Sequence, residues 1–163
     1  MRKSILILAL SLVLLLTFGI NVQAQQKMPQ QGTTNFVTYY TARILSNLNM
    51  GEIGSEALVE MLGVTRNTDG QKLFDNMAVR CIVYRETVGG KYKAKGACTE
   101  TDSDGDKTFT TFDSVTMIHT LIGGTGKYKG ISGTEPYTVK MLPAPGEGMS
   151  AFIADHKASW QFK

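Results

Sequence analysis

The stretch CIVYRETVGGKYKAKGAC, residues 81–98, decides the fold. Its Gly89-Gly90 pair is typical of a two-residue β-hairpin turn, because glycine tolerates the positive φ angles that such turns require. A turn here places Cys81 opposite Cys98 at a pair without ladder hydrogen bonds, where Cα atoms come about 4.5 Å apart. A disulfide accepts that distance. The stretch therefore predicts a β-hairpin that is crosslinked by one intramolecular bond.

The same register predicts the neighbours of the two cysteines. Val88 and Lys91 should flank the turn, and Glu86 should lie opposite Lys93 on the other face of the hairpin. An opposite-charge pair across two strands contributes a few tenths of a kcal/mol, roughly. Arg85 shares the face of the cysteines, because side chains alternate along a strand.

The N-terminal segment has the three parts of an export signal. Two basic residues precede an apolar run, residues 5–20, and Val22 and Ala24 are small residues at the positions that a signal peptidase recognises. The run is shorter than the roughly 18 apolar residues that a membrane-spanning helix needs. We expect a cleaved signal peptide over residues 1–24, an exported chain in the periplasm or outside the cell, and no stable membrane anchor. Export favours a disulfide over the alternative of two buried free thiols.

Charge restricts the classes of partner. Cleavage removes Arg2 and Lys3, so 15 of the 17 basic residues remain against 14 acidic ones, a net charge of +1. A balance this close to neutral gives no electrostatic basis for binding nucleic acid. We expect no nucleic-acid partner, and the sequence leaves the oligomeric state open.

The exported part reads as a lead-in followed by eight strands. Residues 25–34 are rich in Gln and lack a core-forming pattern, which predicts a flexible segment. Residues 35–163 form one domain of short β-branched and aromatic segments separated by turn residues. The expected strands are Phe36–Thr41, Ala57–Thr65, Met77–Thr87, Lys91–Thr101, Thr108–Phe112, Val115–Ile122, Pro136–Met141 and Ala151–Phe162.

This strand pattern predicts an all-β fold, a single closed antiparallel eight-stranded β-barrel. Closing the sheet removes the exposed edges that favour aggregation. A sandwich of two sheets is the alternative. The segment Ala57–Thr65 also suits a short helix, but Gly63 and the turn residues Asn67–Gly70 favour a strand.

Two loops invite a binding interpretation and have a simpler one. Asp102, Asp104 and Asp106 follow the spacing of a calcium loop, but Gly105 comes two positions too early and strands flank the loop. A tight turn between strands explains these residues, and we expect neither a metal nor a cofactor.

The second loop is GGTGKYKGISG, residues 123–133, which does not match a phosphate-binding loop. We interpret Gly124, Gly126 and Gly130 as allowing positive φ and close approach of the backbone. Tyr128 would then turn inward and plug one end of the barrel.

Few polar residues suggest chemistry, and no catalytic residue can be named. Arg85 is a candidate ligand contact inside the barrel, and the alternative is that it lies near a strand end and extends into solvent. Glu60 and His119 are further candidate ligand-binding residues. For His119 the alternative is a sheet histidine without a chemical role.

Two stretches resemble a known family. CTETDSDGDK, residues 98–107, resembles the C-x-x-x-D-x-D-G-D-K stretch of small exported bacterial barrels. Residues 123–133 are similar to the G-G-T-G-x-[FY]-x-G-[IV]-x-G run of the allene oxide cyclase-like and dirigent-like barrel proteins. The resemblance covers roughly residues 73–133 and implies a calycin-like barrel with a small interior cavity.

The resemblance implies two functions. The family includes plant cyclases of unsaturated fatty-acid epoxides, dirigent proteins that guide phenoxy-radical coupling, and bacterial members of unknown role. No cyclase residue matches a position here, which favours a non-enzymatic module that binds a small apolar or amphipathic ligand. The alternative is an isomerase or cyclase that acts on an unsaturated lipid-like substrate by cavity shape, with Arg85, Glu60 or His119 polarising it. A protein that interacts through its surface is a third hypothesis.

Overall fold

The computed structural model describes residues 28–163, so the predicted signal peptide over residues 1–24 lies outside the described residues. The described chain forms eight strands and two single turns of 3₁₀ helix, Gly51–Ile53 and Gly126–Tyr128. The strands are β1 (Gln31–Asn49), β2 (Gly54–Asn67), β3 (Ala78–Val88), β4 (Lys91–Thr101), β5 (Lys107–Asp113), β6 (Ile118–Gly124), β7 (Ile131–Leu142) and β8 (Met149–Phe162). Within this part of the chain no helix has the length and apolar character needed to cross a bilayer.

The eight strands close into one antiparallel barrel. Each strand pairs with the next along the chain, and β1 also pairs with β8. The predicted all-β barrel is therefore confirmed, and the two-sheet sandwich does not form. The segment that also suited a helix, Ala57–Thr65, lies within β2.

The crosslinked hairpin has the predicted register. Cys81 lies opposite Cys98 with their Cα atoms 4.0 Å apart, and the two sulfurs are bonded. Glu86 lies opposite Lys93, and Lys93 Nζ is 2.9 Å from Glu86 Oε1. Both cysteines are buried, so the crosslink faces the interior of the barrel.

Only β4 has the predicted bounds; the other strands begin or end at different residues, and β1, β2, β5, β7 and β8 are longer than predicted. The strand expected to start at Val115 starts at Ile118, because residues 114–117 form a turn in which Asp113 Oδ1 accepts the Val115 N–H. The first strand starts at Gln31, within the segment predicted to be a flexible lead-in. Residues 31–34 gain their strand structure from pairing with β8, which composition alone does not reveal.

The interior contains two apolar clusters, one toward each end of the barrel. The first surrounds the disulfide and includes Tyr40, Val59, Val83 and Phe112. The second closes the other end with Phe36, Phe74, Met77, Tyr128 and Trp160. Phe74 and Met77 belong to the loop between β2 and β3, so this loop folds over the end of the barrel and covers it.

Candidate functional site

A band of polar side chains is buried inside the barrel between the two apolar clusters. We call these residues the interior polar band. Each projects inward from its strand and is at most 4% exposed. Buried polar groups are costly unless they have hydrogen-bond partners, so this concentration in one interior requires an explanation. The band consists of Thr38, Glu100, Thr108, Thr110, His119, Glu135 and His156.

Strand register brings the members of the band together. Glu100 on β4 lies opposite Thr108 on β5, and His119 on β6 lies opposite Glu135 on β7. His156 on β8 lies opposite Tyr137 on β7. Neighbouring strands therefore present their polar residues at similar depth in the barrel.

The two glutamates of the band are acids buried away from bulk solvent. Thr108 Oγ1 donates a hydrogen bond of 2.5 Å to Glu100 Oε2. Neither carboxyl oxygen of Glu135 has a hydrogen-bond partner among residues 28–163. Burial raises the pKa of Glu100 to about 7, because the ionised form loses its hydration. Burial, together with the Glu100 charge, raises the pKa of Glu135 well above its ordinary value, which favours the protonated, neutral form of this acid.

The two histidines of the band are neutral. Burial lowers the pKa of His119 to about 4. Burial, and then the neighbouring His119, lowers the pKa of His156 well below its ordinary value. His119 Nδ1 lies 4.0 Å from Glu135 Oε2, and with a neutral imidazole this contact is not an ion pair. Each ring therefore offers one N–H donor and one nitrogen acceptor.

Aromatic rings surround the two imidazoles. His156 stacks on Phe36 with ring centroids 4.4 Å apart, and His119 stacks on Phe112 at 5.1 Å. The edge of Tyr137 meets His119 at 4.9 Å. Burial raises the pKa of Tyr137 to about 12, so it stays a neutral phenol. The environment of the polar band is thus apolar and aromatic.

Several polar atoms in the interior are left without partners by the protein itself. Among residues 28–163 no hydrogen bond reaches His119 Nδ1, either nitrogen of His156, or the hydroxyls of Thr38 and Thr110. Such atoms in native proteins are usually satisfied by water or by a bound molecule. These side chains can donate hydrogen bonds to an uncharged polar group and accept hydrogen bonds from it.

A groove of about 490 Å³ lies beside this band. It runs over β7, β8 and β1, and its walls include Phe36, Pro136, Tyr137, Asp155, His156 and Lys157. We call it the seam groove, because β7 and β8 pair at Thr134 and at Tyr137 but not at the two residues between them. One of those two residues is Pro136, which has no N–H to donate to a neighbouring strand.

The structure separates the three residues that the sequence singled out. His119 belongs to the interior polar band. Glu60 lies on the outer face, where its two oxygens accept hydrogen bonds from Arg43 and Arg80, and these bonds lower its pKa. Arg85 lies half-buried at the barrel end where the 81–98 hairpin turns. No two of the three share a site.

Sequence reasoning missed Glu100, Glu135 and His156. For Glu100 a signal exists, because it stands two residues after Cys98 and must share the face of the disulfide. His156 alternates with Ala154 and Ala158, a pattern that marks an inward face. For Glu135 the adjacent Pro136 argues against a central strand and hides the pattern.

Ion pairs and a hydrogen bond connect the Asp-rich turn, residues 102–106, to the glycine loop, residues 123–133. Lys127 Nζ lies 2.6 Å from Asp102 Oδ2 and 2.5 Å from Asp104 Oδ2, and the Tyr128 hydroxyl donates to Asp102 Oδ2. The positive charge among these carboxylates is therefore a lysine of the neighbouring loop. Within residues 28–163 no three His, Cys, Asp or Glu side chains lie close enough to hold a metal ion. Tyr128 is buried in the second apolar cluster, and a Cβ at Gly126 would collide with the Asp106 carboxylate.

Comparisons with known proteins find similarity in structure only. No protein-family model matches the sequence. No curated protein matches it. Among solved structures, the pterocarpan synthase dirigent protein GePTS1 is similar with a TM-score of 0.49 and 10% identity, over 83% of this chain and 88% of that chain. The pterocarpan synthase dirigent protein PsPTS1 is similar with a TM-score of 0.46 and 12% identity, over 83% of this chain and 99% of that chain. Identities this low transfer neither a ligand nor an activity.

Proposed function

We propose that this protein is a binding module that holds a small, uncharged amphipathic molecule at the interior polar band, entered from the seam groove. The observation that carries the proposal is the set of buried polar atoms without partners, His119 Nδ1 and both nitrogens of His156 among them. A polar group of the ligand would supply the missing hydrogen bonds. The seam groove, about 490 Å³, is lined by exposed residues such as Asn35 and Lys157 together with His156, so it would lead the ligand from the surface to the polar band.

The charges of the site select the kind of polar group. Both histidines are neutral at pH 7, burial favours the neutral form of Glu135, and Glu100 with a pKa of about 7 carries at most a partial negative charge. An anionic group would be repelled by Glu100, and a cationic group would lose its hydration with little compensation. A hydroxyl or carbonyl group suits the site best. The rings of Phe36 and Phe112 provide apolar surface for the rest of the ligand.

A pair of fluorescent probes tests this proposal. We expect 2-naphthol to bind the protein at least about fivefold more tightly than naphthalene, because its hydroxyl pairs with buried polar atoms. The variant His156→Phe should abolish this preference while still binding both probes. Gln161→Phe, which places the same ring on the outer face of the same strand, should leave the preference intact. Equal binding of the two probes by the unaltered protein would refute the proposal.

A natural ligand can be sought directly. Protein purified without denaturation should release a small neutral compound on denaturing extraction, and mass spectrometry should detect it. The His156→Phe protein should release less of that compound. If extraction yields no compound and neither naphthalene derivative binds, the binding function is wrong.

One observation favours an isomerase or cyclase as the second candidate. Glu100 and Glu135 are buried acids that influence each other, and the pKa of Glu100, about 7, matches that of a general acid or base working at neutral pH. Glu135 would protonate a ligand oxygen and Glu100 would remove a proton elsewhere. Turnover of unsaturated epoxides by the protein, reduced about 100-fold or more in Glu135→Gln, would support this function. Absence of turnover across a panel of such epoxides would reject it.

Export is a further part of the proposal. It rests on the signal-like residues 1–24 and on the pairing of both cysteines in a buried disulfide. Expression in a bacterium should yield periplasmic or secreted protein whose intact mass is that of a chain beginning at Gln25. Cytoplasmic protein that keeps residues 1–24 would contradict export.

A further inference from the structure

A second pocket lies at the barrel end opposite the Trp160 cluster. It measures about 180 Å³ and is formed by β1, β2, β3 and the start of β8. Its walls include Ala42, Arg43, Val59, Arg85, Met149 and Ser150. It shares no lining residue with the seam groove and none with the interior polar band.

Arg85 faces into this pocket because of its strand position. It follows Val83 by two residues, and Val83 is buried inside the barrel. The residues directly opposite Arg85 on the neighbouring strands are Ala57 and Ala94, both buried. Their small side chains leave room around the guanidinium group.

The guanidinium of Arg85 has no counter-charge among the residues that the structure describes. Within residues 28–163 it forms no ion pair and donates no side-chain hydrogen bond, although it is half-buried. In contrast, Arg43 and Arg80 both pair with Glu60 on the outer face. No Asp or Glu lines the pocket. A half-buried cation without a partner is costly, and a bound anion would remove that cost.

We propose that this pocket binds a small monocarboxylate through Arg85. The planar guanidinium presents two parallel N–H donors that match the two oxygens of a carboxylate. Ser150 shares the inward-facing side of β8 with Ala154 and His156, and its hydroxyl lies in the same pocket. Ala42, Val59 and Met149 form apolar walls, which suit a chain of a few carbons. The volume is too small for a complete drug-sized ligand.

Titration with butyrate tests the site. Two-dimensional NMR of the exported chain at pH 7 and fixed ionic strength should show saturable binding of butyrate, about fivefold tighter than acetate because of its extra methylene groups. Butan-1-ol, which lacks the charge, should not bind at this pocket. Absence of saturable butyrate binding, or equal binding of inorganic phosphate, would overturn the proposal.

Matched arginine variants assign the binding to Arg85. Arg85→Gln should weaken butyrate binding at least about tenfold, since a charge-assisted pair is lost. Arg66→Gln removes the same charge from an exposed position of β2 and should change binding less than twofold. Equal loss in both variants, or unchanged binding in Arg85→Gln, would overturn the assignment.

Two further measurements keep the result unambiguous. Arg85→Lys retains the charge and should bind several-fold more weakly than the unaltered protein, so it replaces Arg85→Gln if that variant does not fold. Binding of 2-naphthol by each arginine variant reports on the interior site. Lost butyrate binding with intact naphthol binding therefore concerns this pocket alone, and the two proposals can fail separately.

Discussion

Replacing Glu100 with glutamine should make the protein more stable at neutral pH relative to acidic pH. Glu100 is 2% exposed, and burial raises the pKa of its carboxyl group from 4.5 to about 7. The folded protein therefore keeps this proton at pH values where the unfolded chain releases it. Below pH 4.5 both states are protonated, and the contribution of Glu100 to stability is fully present.

The magnitude follows from the size of the pKa shift. As the pH rises from 4.5 through about 7, the unfolded chain ionises first, and the free energy of unfolding falls by about 1.4 kcal/mol per pH unit. The loss from Glu100 therefore reaches about 3 kcal/mol at pH 7. Glutamine cannot ionise, so the variant escapes this loss. It also removes the charge that helps to raise the pKa of Glu135, an effect of the same sign.

The quantity to compare is the difference between the free energies of unfolding of Glu100→Gln and of the unaltered protein, plotted against pH. Burial lowers the pKa of His119 to about 4, so His119 contributes stability that is lost as the pH falls from 6.5 toward 4. This slope opposes that of Glu100, and the shifted pKa values of His156 and Glu135 add further slopes, so the curve of the unaltered protein does not isolate Glu100. Subtracting the curve of the unaltered protein from that of Glu100→Gln isolates the carboxyl group.

Urea unfolding at half-unit steps from pH 4 to pH 8 measures the difference, with the fluorescence of the single Trp160 as the signal. Any fixed cost of the glutamine amide shifts the whole difference curve and leaves its slope unchanged. Glu60→Gln is the control: hydrogen bonds from Arg80 and Arg43 lower the pKa of Glu60, so its contribution to stability is lost only as the pH falls below about 4.5, and its difference curve should be nearly flat from about pH 5 to pH 8. A difference curve for Glu100→Gln that is flat from pH 4.5 to 7 would refute the claim that burial raises the pKa of Glu100.

Three further predictions concern the scaffold. Replacing Cys81 and Cys98 together with alanine should lower the free energy of unfolding by about 3 kcal/mol, and an unchanged urea midpoint would contradict a stabilising crosslink. Gly126→Ala should cost about 1–2 kcal/mol in the same assay, because Gly126 has a φ of 50° and its Cβ would collide with Asp106; a neutral result would mean that the loop can move aside. Lys127→Met should destabilise by about 1 kcal/mol at low salt and by less at high salt, because dissolved ions screen partly exposed charges; equal effects at both salt concentrations would exclude the ion pairs as the cause.

The hairpin of residues 81–98 shows how far local sequence information reaches. A two-residue glycine turn sets the register, and the register then places Cys81 against Cys98 and Glu86 against Lys93 without reference to the rest of the chain. The same alternation could have placed Glu100 inside, because it shares the face of Cys98. The start of β1 at Gln31 was beyond such reasoning, since its partner on β8 is 130 residues away.

The eight strand segments and the crosslinked hairpin follow from the sequence, because each depends on alternation and turn chemistry within a short segment. The closed barrel was an expectation from the strand count, and the pairing of β1 with β8 completes it. Which polar residues lie inside became clear from the folded barrel alone. Alternation tells which side chains share a face, but the pairing of β1 with β8 determines which face becomes the interior. For that reason Glu60 is an outer-face partner of two arginines, whereas Glu100, Glu135 and the two histidines are buried inside the barrel.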